Sequence, residues 1–273
     1  MIMQALSVSA HLPKETGMLN CVGRFNHALN FVTPSGELLT LHRYGRGLSP
    51  MGWMVSDTDF QAIFDDGCES VEYQNDRLVS PNWQLVAPKA RLSLKLMPQK
   101  LPNGTFTALW DILRQSKAKS GLHGSLSDVT TGPLCRELKE LKELKANYQR
   151  YLQGEHIDWQ SIIGRGPGLT PSFDDILIGM LLVTFLNPKI DSDNFPNFFQ
   201  DTPPLESLTT LISVNYLRFA SQGIFSTPLQ TLATALAQPM KLSQAVRLLL
   251  QVGHFSGADT LIGVWLAGMD EMG

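Results

Sequence analysis

A chain of 273 residues with 43% hydrophobic composition can bury a large core, as one big domain or two modest ones. Its net charge of -3 excludes a global field that would draw it to nucleic acid or an acidic membrane, so any anion site must be local. The three cysteines (Cys21, Cys68, Cys135) are far apart and lack CxxC spacing, which favours reduced thiols over a disulfide framework or a zinc site.

The first eleven residues carry no basic segment followed by a long apolar run, so no signal peptide is expected. The first hundred residues read as β-rich. Cys21 to Val32 and Glu37 to Arg43 are extended, and the turn tetrapeptide Thr33-Pro34-Ser35-Gly36 between them predicts a hairpin. Short strands are expected around Ser70 to Tyr73, Trp83 to Ala87 and Leu92 to Leu96, with one helix from Asp57 to Phe64 capped by Asp57.

From Thr105 the period becomes helical. Leu134, Leu138, Leu141, Leu144, Tyr148 and Tyr151 recur at three and four, with lysine and glutamate on the solvated face between them. Further helices are predicted at 172–186, 205–221, 226–237, 241–251 and 256–268. Strands first and helices afterwards predict an α+β protein. The expected parts are a β-rich N-terminal domain over 1–100, a connecting helix and linker over 101–130, and a helical domain over 131–273. The longest apolar run, Ile176 to Phe185, is about half a membrane span and follows two aspartates, so a soluble, cytoplasmic protein is expected.

An internal echo links two of the helices. Ser172-Phe-Asp-Asp175-Ile-Leu-Ile-Gly179-Met-Leu-Leu182 aligns with Ser256-Gly-Ala-Asp259-Thr-Leu-Ile-Gly263-Val-Trp-Leu266. Each aspartate stands four residues before a glycine and so shares its helix face. This predicts that the two helices are neighbours, meeting where Gly179 and Gly263 lie.

Just before the first of these helices runs the most informative stretch, Gly164-Arg-Gly-Pro-Gly-Leu-Thr-Pro-Ser-Phe-Asp-Asp175. Two readings of it stand. In the structural one, Ser172-x-x-Asp175 and Ser256-x-x-Asp259 are capping boxes, and Gly179 and Gly263 only allow the helices to pack closely. In the functional one, the loop's free N–H groups and the helix start receive a phosphate or carboxylate, and Arg165 adds a guanidinium. The lysine of a Walker loop is missing. Asp174 and Asp175 would repel a bare phosphate unless they held Mg²⁺, bonded an amide or ureido N–H, or pointed away. His42-Arg43 with Gly45-Arg46-Gly47 is a second candidate anion contact.

The glycine-rich motif resembles the signature of the AllH family, a subunit of oxamate carbamoyltransferase. The resemblance extends to Ser35–Arg43, Gly52-Trp53, Ser213-x-x-Tyr-Leu-Arg218, Gly223, Pro228-Leu229 and Gly253–Gly263, and so spans roughly residues 20–268. It implies phosphorolysis of oxalurate to oxamate and carbamoyl phosphate, in allantoin and ureidoglycolate breakdown, by a cytoplasmic complex with two other subunits. From the residues themselves, Arg165, Asp174, Asp175, His254 and Asp259 are the candidate catalytic residues, with a structural role also open for His254. Gly164, Gly166, Gly168, Thr170, Ser172, Arg218 and Ser256 are the candidate substrate contacts. No cofactor is implied apart from an open place for Mg²⁺. A non-catalytic scaffold and a small-carboxylate binding module stay open beside the enzyme reading.

Overall fold

The structure, a computed structural model, describes residues 1–132, 139–190 and 196–269. The arrangement is α+β, and the chain divides into two compact units, 1–95 with 225–227, and 96–224 with 228–273.

The first unit is one nine-stranded sheet. Its strands are β1 (Ile2–Gln4), β2 (Ser7–Val8), β3 (Gly17–Phe25), β4 (Ala28–Val32), β5 (Leu38–Arg43), β6 (Gly52–Val55), β7 (Ser70–Gln74), β8 (Arg77–Val79) and β9 (Gln84–Val86). They lie in the order β1-β9-β8-β7-β3-β4-β5-β6-β2. Laid flat, nine strands would separate the two edges by roughly 38 Å. Yet Ala5 N donates to Val86 O of β9 at 2.9 Å, and its neighbour Leu6 N donates to Met54 O of β6 at 2.8 Å. The sheet therefore curls until both edges meet on one N-terminal segment, which leaves few open edges. Leu19, Leu29, Phe31, Leu39, Leu41, Trp53, Val71, Leu78 and Leu85 fill its core, joined by Phe60 and Ile63 of helix α1 (Asp57–Asp66).

The predicted hairpin at 33–36 is present: Gly36 N donates to Thr33 O, and Val32 pairs with Leu38. Three expectations need correction. Cys21 to Val32 is two strands rather than one, because Asn26-His27 forms a second hairpin turn with Phe25 opposite Ala28. Leu92 to Leu96 is no strand and keeps only single bridge residues, Leu92, which pairs with Ser9, and Lys95. The cap of α1 is Ser56, whose hydroxyl accepts from Asp59 N at 3.1 Å, and Asp57 is the first helical residue. A hairpin also joins β7 to β8 through Asn75-Asp76, both at positive φ, the geometry that matches the strands' twist.

The second unit is helical around a central pair. It holds α2 (Thr105–Leu113), a short hairpin of β10 (Lys119–Ser120) and β11 (Gly124–Ser125), α3 (Leu126–Thr131), α4 (Lys139–Leu152) and α5 (Ser172–Leu186). Then follow α6 (Leu211–Ala220), α7 (Thr227–Ala237), α8 (Leu242–Leu249) and α9 (Ser256–Gly268), with Thr227 itself in the first unit. The segment 101–130 is thus folded into this unit, with α2 and α3 packed on α9. The helix predicted over 205–221 is interrupted: a single 3-10 turn covers Leu205–Ser207, and Thr210 caps a new start by accepting from Ser213 N. In α4 the periodic residues Leu141, Leu144, Tyr148 and Tyr151 are buried, whereas Leu134, Cys135 and Leu138 lie outside the described residues.

The sequence echo is realised in space. Every residue of α5 except Phe185 is buried, and α9 is buried from Gly257 to Leu266. A methyl group on Gly179 would stand 2.1 Å from Thr260 O, and one on Gly263 would stand 1.9 Å from Ile176 O. The backbones are therefore in direct contact. The helix starts also touch, with Thr170 and Ser256 hydroxyls 2.8 Å apart. Contact at the starts and again two turns later requires α5 and α9 to run side by side in the same direction.

Candidate functional site

The parallel pair brings two helix N-termini, and the carboxylates of their first turns, to one place. The preceding loop is shaped by left-handed glycines. Gly164 has φ 81°, its N–H donates to Asp174 Oδ1 at 2.7 Å, and a side chain there would strike Leu208 O. Gly166, at φ 106°, lets the loop close onto Ser172: a methyl group would stand 2.6 Å from Ser172 N. The loop is tied back to the helix by Phe173 N donating to Arg165 O.

The two adjacent aspartates are used differently. Asp174 is fully buried, and its second oxygen accepts from Thr209 Oγ1 and Ser213 Oγ, both at 2.5 Å. Three donors thus occupy this carboxylate, which fastens the glycine loop and the start of α6 to α5. Burial raises its pKa, and the bonds from Gly164, Ser213 and Thr209 oppose the rise. Asp175 is 5% exposed, and its Oδ2 is enclosed without a hydrogen-bond partner. Desolvation pushes its pKa up to about 8, against help from the Thr170 and Ser256 hydroxyls; the nearby charges of Asp259 and Asp174 add to the rise.

Asp259 completes the cluster at 1% exposure. Both of its oxygens take the N–H of Gly121, at 3.1 and 3.3 Å, and burial pushes its pKa up to about 6. The Ser172 hydroxyl offsets part of that rise by lying beside the carboxylate, although it makes no contact that meets hydrogen-bond geometry. Gly121 belongs to the turn between β10 and β11, and a methyl group there would overlap Ser172 Oγ and approach Pro167.

Neither helix start is a capping box. The residue before α5 is Pro171 and that before α9 is Phe255, and neither helix has a side-chain cap. Ser172 and Ser256 are instead the first helical residues. The structural reading of these two motifs as capping boxes is thus corrected: neither helix start has a side-chain cap from Asp175 or Asp259. The N–H groups of Gly166, Gly168 and Ser172 have no acceptor among the described residues, which leaves positive potential beside the acids.

The remaining candidates are less central. Arg165 is exposed on the loop with no ion pair among the described residues. His254 is exposed and stacks edge-on with Phe255, two residues before Ser256. Arg218 sits in the last turn of α6, at the far end from the turn that holds Asp174, and its guanidinium is paired with Glu206. The anion contact expected at His42 needs correction, because its ring is buried against Ser49 Oγ at 2.8 Å and desolvation drops its pKa to about 4. Mg²⁺ finds no ready ligand set here: among the described residues no three acid, histidine or cysteine side chains are grouped to hold a cation, and Asp174 is already filled by three donors.

Residues 162–268 match the family model of the oxamate carbamoyltransferase subunit AllH, and residues 4–96 match that of the AllH family N-terminal domain. The chain belongs to the AllH family. No solved structure matches it. The AllH match begins two residues before Gly164 and ends with α9, so it encloses the loop and both helices of the acidic cluster. Within this AllH chain, sequence reasoning missed Gly121 and Thr209. Neither carries a chemical signature of its own, and each reaches its aspartate across at least 35 residues.

Proposed function

We propose that this AllH subunit takes part in carbamoyl transfer itself, in the phosphorolysis of oxalurate to oxamate and carbamoyl phosphate. A phosphate oxygen attacks the carbamoyl carbon of the ureido group, the bond from that carbon to the oxamate nitrogen breaks, and the leaving nitrogen takes up a proton. Asp175 is the group suited to deliver that proton, since its burial keeps it protonated at neutral pH while it lacks a partner for one oxygen. That observation carries the reading. The free N–H groups of Gly166, Gly168 and Ser172, with Arg165, suit the two anions and the charge that develops on the carbamoyl oxygen. Asp259, the stronger acid of the two, remains the charged member, and its charge adds to the desolvation that keeps Asp175 neutral. The chain works within a cytoplasmic complex with two other subunits, in allantoin and ureidoglycolate degradation.

The test is oxalurate phosphorolysis by the complex reconstituted with wild-type chain, with Asp175→Asn, and with Arg165→Ala. The proposal expects folded complexes with turnover reduced at least about a hundredfold in Asp175→Asn. Full activity in both variants would leave the scaffold role as the better account. Leu169, 51% exposed at the tip of the loop, is the feature that favours such an interface.

A further inference from the structure

The first unit holds a second cluster of cationic groups, remote in sequence from the glycine loop. A cavity of about 250 Å³ is lined by Asn26, His27, Arg43, Gln61 and Phe64. We infer that this cavity is an oxoanion site that takes a phosphate group, with Arg43 as its charged contact and His27 and Asn26 beside it.

Arg43 is held rigidly at the end of β5. Its guanidinium lies 4.6 Å over the Phe60 ring, one terminal nitrogen donates to Gln61 Oε1 at 2.8 Å, and the other stands 3.7 Å from Asp57. Its Nε is shielded from solvent and has no acceptor. His27 occupies the two-residue turn between β3 and β4 and is exposed, and its carbonyl accepts from Arg43 N. Arg46 stands between Gly45 and Gly47, whose φ values of 81° and 82° shape that loop. Burial lowers the His27 pKa, and the charges of Arg46 and Arg43 lower it further, with Asp57 alone opposing them. Arg43 thus has one carboxylate beside it, Asp57, whose side chain is 68% exposed, on a molecule whose net charge is -3.

The geometry favours phosphate over carboxylate. A carboxylate pairs best with the fork of two parallel guanidinium N–H groups, and here one terminal nitrogen serves Gln61 and the other faces Asp57. What remains are the unused terminal N–H groups of Arg43, an imidazole and an amide from Asn26. Donors that approach from several sides suit a tetrahedral anion. Asp57 is the internal competitor, so its removal strengthens binding.

The test uses the full chain and follows the His27 imidazole by NMR while inorganic phosphate is added, against sodium chloride at equal ionic strength. Phosphate is expected to raise the His27 titration midpoint and to saturate at millimolar concentration. Arg43→Gln is expected to weaken the effect about fivefold or more, and Asp57→Asn to strengthen it. Asp57 is exposed, so its variant folds even if that of Arg43 does not. An equal response to sodium chloride, or an unchanged phosphate response in Asp57→Asn, overturns the site. Equal saturation by acetate overturns the phosphate assignment. Because the readout is binding to the first unit, failure here leaves the carbamoyl-transfer reading untouched.

Discussion

Asp174 and Asp175 are adjacent and both buried, yet one is saturated with donors and the other is left with an empty oxygen. The difference sets opposite expectations for their variants. Asp174→Ala removes the acceptor for Gly164 N, Thr209 and Ser213, and should destabilise the protein by roughly 2–4 kcal/mol, measured as a loss in the chemical denaturation midpoint. Asp175 has a folded-state pKa raised to about 8 from an unfolded value near 4. Between those values the native state keeps a proton that the unfolded chain releases, so stability falls as pH rises from about 4 to about 8. Asp175→Asn should flatten that part of the profile and make the protein more stable at pH 8, by a few kcal/mol at most. Denaturation at pH 5 and pH 8 checks this, and an Asn variant that is less stable at both would show that the carboxylate has a structural duty after all. Sequence made these two residues conspicuous but could not divide their roles, because Ser213 and Thr209 approach from another helix start.

At the scale of elements, α5 and α9 depend on glycine more than on any large side chain. Alanine at Gly263 improves helix propensity by about 1 kcal/mol. Its methyl group would nevertheless stand 1.9 Å from Ile176 O, which is backbone and cannot step aside without moving the helix. Gly263→Ala is therefore expected to cost about 3 kcal/mol or more, and to disturb Asp175 and Asp259 by moving the helix starts apart. Thermal melting, together with the activity of whatever folds, measures both effects. Gly168→Ala offers the comparison: its added methyl would meet only Thr170 O at 3.8 Å, so the strain is confined to its φ of 98°. The pairing itself was legible in sequence, since two matched Ser-x-x-Asp-x-x-x-Gly runs of apolar helix have only each other as equally small-faced partners. The direction of the pair was not, because the same glycines allow either sense.

For the whole molecule, the decisive device in the first unit is the segment that joins both edges of the sheet. Residues 1–9 pair with β9 on one side and β6 on the other. Deleting them would expose two unpaired edges and take Met3, Ala5 and Val8 out of the core they fill. Such a chain is expected to aggregate on expression, whereas the substitution Ile2→Ser, at a residue 79% exposed, should be neutral. Size-exclusion chromatography distinguishes the two outcomes. The short N-terminal strands escaped sequence reading because three residues of β1 and two of β2 show no period.

What the sequence determined by itself was whatever neighbours along the chain can settle. The alternation and turn residues around 33–36 specified a hairpin, the apolar run at 176–186 specified a buried helix, and the glycine-rich run marked the candidate site and the family. These follow from local backbone preference and from the period of side chains that must leave water. Tertiary structure alone decided that Ser172 and Ser256 are not caps, that Asp174 is a fastening and Asp175 a buried acid, and that Gly121 backs Asp259. A carboxylate's protonation and duty depend on the groups that enclose it, and here these come from four separate stretches of the chain.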